Sequence, residues 1–156
     1  MVNRSTNLAP ALLLFAMMSI SSTSAQRPAA KTILFICEHG SAKSVVAAAH
    51  FNRMAKEAGI PIMAITRGTN PDEEIPDKIN SLLKGDGFPE YNGRPVRLST
   101  KDLQAADFTV AFSTLPSEFK SPKNFETWSI PSFEAGYPVA RDSIIHNIER
   151  LIQRIK

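Results

Sequence analysis

Thr32-Ile-Leu-Phe-Ile-Cys37-Glu-His-Gly-Ser-Ala-Lys-Ser44-Val-Val-Ala-Ala-Ala49 is the stretch from which the rest of the chain can be read. Thr32 to Cys37 is a short run rich in β-branched and aromatic residues, as expected of a strand buried on both faces. A glycine-containing turn follows. From Ser41 to Ala58 the sequence is alanine-rich and free of Gly and Pro, which predicts a helix stopped by Gly59 and Pro61. Strand, tight turn and helix in this order are the opening half of a βαβ unit.

Downstream, Pro61 to Thr66 repeats the buried-strand pattern and Gly68 to Pro71 breaks it. A second helix is expected over Pro76 to Leu83, with Asp72 to Glu74 supplying acidic groups near its start and Gly85 its end. Phe88 to Thr100 is turn-rich and reads as loop with a short extended piece. Thr100 can cap a short helix to Ala105. Asp107 to Ser113 and Glu126 to Ile130 read as third and fourth strands, each followed by a loop, the second running from Pro131 to Pro138. Ile144, Ile148, Leu151 and Ile155 mark the apolar stripe of a last amphipathic helix. Strands alternating with helices predict right-handed crossovers and a parallel sheet covered on both faces.

The 156 residues have room for one domain. Residues 1–25 differ from the rest: a polar start with Arg4, an apolar run from Leu8 to Ile20 and small residues up to Ala25, the grammar of a secretory signal peptide. The run is shorter than the roughly 20 residues a membrane span needs and contains Pro10. The expectation is therefore a domain over 26–156, exported to a periplasm or secreted, with no stable membrane anchor after cleavage. With 18 basic and 15 acidic residues and no long run of either, the charge is too mild to imply nucleic acid. Cys37 is the only cysteine, so neither an internal disulfide nor a multi-cysteine metal site can form.

A lone cysteine is ordinarily a small core residue, but Cys37 falls where the first strand ends and its helix begins. There, unpaired N–H groups and the positive helix end converge on one small volume, which suits a tetrahedral oxyanion and favours a thiolate. Cys37 is thus the candidate nucleophile, Lys43 can neutralise the anion, and Ser44 can donate to the sulfur. Glu38, His39, Gly40, Ser41 and Ala42 complete the loop. No metal or cofactor is called for.

Carried by Ile33 to Ala49, the segment resembles the opening of the low-molecular-weight protein tyrosine phosphatases and of the related thioredoxin-dependent arsenate reductases. Arg67 to Pro71, Leu103 to Val110, and Trp128 to Pro131 with the last helix resemble later parts of the same family in order and spacing. The resemblance implies a three-layer, flavodoxin-like α/β fold with a four-stranded parallel sheet. It also implies attack by Cys37 on an aryl phosphate, phosphotyrosine included, through a phosphocysteine.

Four departures qualify the activity the resemblance implies. Lys43 stands where the family has arginine, and a lysine lacks the planar fork that grips two oxygens. Ser132 and Phe133 stand where the family has an acidic Asp followed by Pro; Glu134 and His39 are the groups that could replace that acid. The additional cysteines of the arsenate reductases are missing, as is the asparagine that braces the family's loop. Two readings stay open: a weak cysteine phosphomonoesterase, or a binding protein for phosphate, another oxyanion or a phosphoprotein. Arsenate reduction and redox sensing through Cys37 rank behind them. Outside the loop, His50 and His146 read as helix-surface residues and Asp142 as a helix-dipole partner. Trp128, Phe125 and Phe133 read as core before cleft mouth.

Overall fold

A computed structural model describes residues 31–155. The expected signal peptide lies outside the described residues. Four parallel strands, β1 (Lys31–Cys37), β2 (Ile62–Gly68), β3 (Phe108–Ala111) and β4 (Phe125–Thr127), form one sheet in the order β2-β1-β3-β4. The helices are α1 (Lys43–Glu57), α2 (Asp77–Gly85), α3 (Thr100–Ala105) and α4 (Tyr137–Ile155). This is the α/β, flavodoxin-like architecture the resemblance implied.

The pleat of β1 divides the core. Ile33 and Phe35 face a large cluster built with Val45 and Phe51 of α1, Ile79 and Leu83 of α2, and Ile144, Ile148 and Leu151 of α4. Leu34 and Ile36 face a smaller cluster with Leu98, Leu103 and Ala111. Every side chain from Ile33 to Ile36 is at most 1% exposed, which is why the run shows no alternation. The second face is thinly covered, by the six-residue α3 and by loop side chains such as Leu115 and Phe119.

Several boundaries differ from the sequence reading. α1 starts at Lys43 because Ser41 and Ala42 still belong to the loop. β2 continues through Gly68, which pairs with Cys37 and bridges to Arg97, the short extended piece expected there. The cap of α3 is Ser99, whose hydroxyl accepts from the Asp102 amide while Asp102 accepts from the Ser99 amide. α4 begins at Tyr137, since a proline in a first turn loses no hydrogen bond. The first turn of α4 holds no acidic residue; Asp142 lies beyond it and pairs with Arg141 at 2.7 Å. Trp128 is core, packed on Phe35 and Phe112. His146 is exposed as expected.

His50 is not a surface residue. It is 2% exposed, and its Nε2 lies 3.2 Å from Asp86 at the end of α2. Asp86 also accepts from the Tyr137 hydroxyl and, at 3.0 Å, from Arg141, so one carboxylate joins α1, α2 and α4. Arg53 completes the cluster, donating to the Asp86 carbonyl at 2.9 Å with its guanidinium over Phe88. Its second nitrogen approaches His50 Nδ1 at 3.3 Å, which fixes the neutral imidazole with its proton on Nε2.

Burial holds the proton affinity of His50 below the ordinary imidazole value of 6.5; Asp86 opposes this, and Arg53 and Arg141 add to it. The unfolded chain therefore takes up a proton near pH 6.5 that the folded chain refuses. This contribution to stability is present above pH 6.5 and is lost as the pH falls below it. Thermal midpoints of the wild type should accordingly drop on acidification below pH 6.5, and those of His50→Gln should change less steeply over the same interval. Equal slopes would show that His50 is not the titrating group.

Candidate functional site

In an open parallel sheet the ligand crevice opens at the carboxyl ends of the strands where the strand order reverses. Here that point lies between β1 and β3. A cavity of about 230 Å³ occupies it, lined by Cys37, Glu38, His39, Ala42 and Lys43 of the loop and by Phe112 and Ser113 beyond β3. Its aromatic wall is fixed from behind, because Phe112 packs on Phe35 and Trp128.

The Cys37 sulfur is 3.2 Å from the Gly40 amide, which donates to it, and 3.1 Å from the Ser44 hydroxyl. Among the described hydrogen bonds, the amides of His39, Ser41, Ala42, Lys43 and Ser44 have no protein acceptor. Intrahelical pairing begins with the Val46 amide on the Ala42 carbonyl. α1 carries no side-chain cap and no acidic residue in its first turn. The end of α1 thus offers its donors to an anion instead of to its own sequence.

Three of the loop carbonyls are satisfied by the segment that leaves β2. Thr69, Asn70 and Asp72 donate their amides to the carbonyls of Cys37, Glu38 and His39 at 3.2, 2.8 and 3.0 Å. That arrangement needs the exit of β2 very close to the loop. Gly40, at φ +64°, lies against Gly68, and a Cβ on Gly68 would come 2.9 Å from the Gly40 nitrogen. The brace expected of an asparagine is supplied by Asp72: one oxygen accepts from the buried Ser41 hydroxyl and the other lies 3.1 Å from His39 Nδ1. Asp72 stands five residues before α2 and supplies no charge to that helix, correcting its sequence assignment. Its position just past the carboxyl end of a strand neighbouring β1 was the available signal.

Lys43 lines the cavity, but its ammonium also donates to the Ile130 carbonyl at 2.7 Å, tying the helix start to the chain leaving β4. Glu38 is exposed. Ser132 caps the short turn Phe133–Ala135 by accepting from the Glu134 amide, and Glu134 does not line the cavity. The structure therefore brings together all eight predicted loop residues and leaves Glu134 apart.

A buried cysteine at the mouth of a parallel sheet, with an amide and a hydroxyl on its sulfur and neighbouring loop amides that have no protein acceptor among the described hydrogen bonds, makes a cysteine-headed loop that can hold an anion on an α/β scaffold. Comparison with known proteins carries this further. The family model described as low molecular weight phosphotyrosine protein phosphatase matches residues 32–118, more than half of the chain, and the chain belongs to that family of cysteine-dependent phosphatases. The match stops before the loop that follows β4. No curated protein matches the chain in sequence.

Among solved structures, the low molecular weight protein tyrosine phosphatase of T. tengcongensis aligns with a TM-score of 0.68 at 22% identity, over 80% of this chain and 99% of that one. An arsenate reductase in the phosphate-binding state aligns with a TM-score of 0.68 at 16% identity, over 81% and 99%. The YwlE arginine phosphatase of Geobacillus stearothermophilus aligns with a TM-score of 0.66 at 20% identity, over 80% and 92%. At these identities the likeness is one of fold.

Two substitutions test the loop. Gly68→Ala should cost about 1–3 kcal/mol, because backbone atoms on both sides of the contact cannot yield, and should abolish stabilisation by phosphate. Gly85→Ala, with nothing near its added methyl, serves as the neutral control in the same denaturation series. Lys43→Met removes the ammonium from the cavity and, a hydrogen bond to a charged group being worth about 1.5–3 kcal/mol, should weaken phosphate binding roughly tenfold or more by calorimetry. Unchanged affinity would restrict Lys43 to its tie with Ile130.

Proposed function

We propose that this protein is an exported, cysteine-dependent phosphomonoesterase acting on aryl phosphates, a phosphotyrosine-containing protein being one such substrate. The observation that carries the reading is the environment of the Cys37 sulfur, with the Gly40 amide and the Ser44 hydroxyl both within hydrogen-bond distance. Such contacts stabilise a thiolate and later the departing sulfur. The thiolate attacks phosphorus, loop amides bind the three equatorial oxygens, the ester oxygen departs, and water then cleaves the phosphocysteine. Lys43 supplies the positive charge for the transferred group while holding Ile130 beside it. Export rests on the composition of residues 1–25, read as a cleaved leader.

A second reading, an oxyanion-binding protein without turnover, is favoured by one specific feature: the Lys43 ammonium is already shared with the Ile130 carbonyl. A divided point charge grips a transition state less well than an arginine fork.

The purified protein incubated with p-nitrophenyl phosphate should release nitrophenol and yield a phosphocysteine on acid quenching. Cys37→Ser should do neither while retaining the wild-type fold. Nitrophenol release that persists in Cys37→Ser would rule out the covalent route. No release from the wild type, with phosphate still raising its thermal midpoint, would establish the binding reading.

A further inference from the structure

No described residue of the segment that follows β4 lines the cavity, so a proton for the leaving oxygen must come from the Cys37–Ser44 loop if esters with basic leaving groups are to be cleaved. Of the titratable side chains lining the cavity other than Cys37, namely Glu38, His39 and Lys43, only His39 has a carboxylate partner. Lys43 is committed to the Ile130 carbonyl, and Glu38 is exposed to solvent. Asp72 Oδ1 lies 3.1 Å from His39 Nδ1, so the carboxylate occupies that edge of the imidazole and Nε2 is the nitrogen left to meet a bound ester. Asp72 is itself fixed by the buried Ser41 hydroxyl and by its own amide on the His39 carbonyl, so the imidazole is oriented by a rigid partner. With 55% of its side chain exposed, His39 sits at the cavity rim, where the leaving group of a bound ester would emerge.

We propose that the His39–Asp72 pair is the acid–base device of this site, with His39 the catalytic proton donor and acceptor and Asp72 its positioning residue. The proposal rests on the phosphatase reading above. In the first step the Cys37 thiolate forms the S–P bond as the P–O ester bond breaks, and the leaving oxygen takes the proton from His39 Nε2. In the second, His39 Nε2, now neutral, takes a proton from water as its oxygen attacks phosphorus. The S–P bond breaks and its electron pair returns to the sulfur. The device extends the substrate range from activated esters to aryl esters with poor leaving groups.

Single-turnover formation of phosphocysteine is to be followed with 2,4-dinitrophenyl phosphate and with phenyl phosphate, in the wild type, His39→Asn and Asp72→Asn. General acid catalysis contributes about 10²–10⁴-fold, so His39→Asn should lose roughly 10²-fold or more with phenyl phosphate and under about threefold with the dinitrophenyl ester. Asp72→Asn should show the same selectivity in weaker form. A loss of equal size with both esters would make His39 an anion-binding group, and no loss with either would make it a bystander; each overturns the proposal alone. Absence of phosphocysteine from the dinitrophenyl ester in the wild type would overturn the phosphatase reading and this proposal together.

Discussion

The contact of Gly40 with Gly68 is the constraint on which the site depends. An eight-residue loop can direct its amides at one point only if its carbonyls find donors on the other side, and those donors belong to the segment leaving β2. Two backbones at van der Waals distance leave no space for a side chain on either partner. The register that pairs Cys37 with Gly68 brings them level, and the Val96 carbonyl and the Leu98 amide hold Gly68 from the far edge. Sheet register, loop curvature and nucleophile position are therefore one geometric condition.

Behind the loop the polar group at greatest risk is Asp86, which carries charge among three helices. Burial alone would raise its proton affinity; the hydrogen bonds from Tyr137, Arg141 and His50 outweigh that and hold it below the ordinary carboxylate range. The same contacts fix the start of α4 and, through Phe133 packed edge-on to Tyr137, the turn that follows the Ile130 carbonyl. A polar cluster on one flank and the Phe35, Phe112 and Trp128 rings on the other keep the cavity walls in place.

How much of this was legible in the sequence depended on whether the signal was local. The β1 run and the α4 stripe each declare themselves within a few residues and hold in the structure, and the segment from Cys37 to Ser44 lies where the sequence reading put it, between the end of β1 and the start of α1. Boundaries slipped where a loop borrowed residues from an element, as Ser41 and Ala42 do from α1, or where a neighbour prolonged one, as Arg97 does for Gly68. His50 was misread because its partner is 36 positions away and belongs to another helix end. Asp72 was misread for a related reason: an acid shortly before a helix looks like a dipole partner until the fold shows what lies across from it.

Negative charge at the rim of an anion site needs a physical account, since Glu38, Asp72 and a Cys37 thiolate would together repel a phosphate. The structure separates them. Glu38 lines the cavity but is exposed, so water screens its charge. Asp72 does not line the cavity; one oxygen accepts from the Ser41 hydroxyl and the other lies 3.1 Å from His39 Nδ1. The sulfur is solvated by the Gly40 amide and the Ser44 hydroxyl, and the loop amides without a described protein acceptor and the Lys43 side chain bring positive charge to the same cavity. What would otherwise be an electrostatic defect thus becomes the means of fixing an imidazole beside the nucleophile.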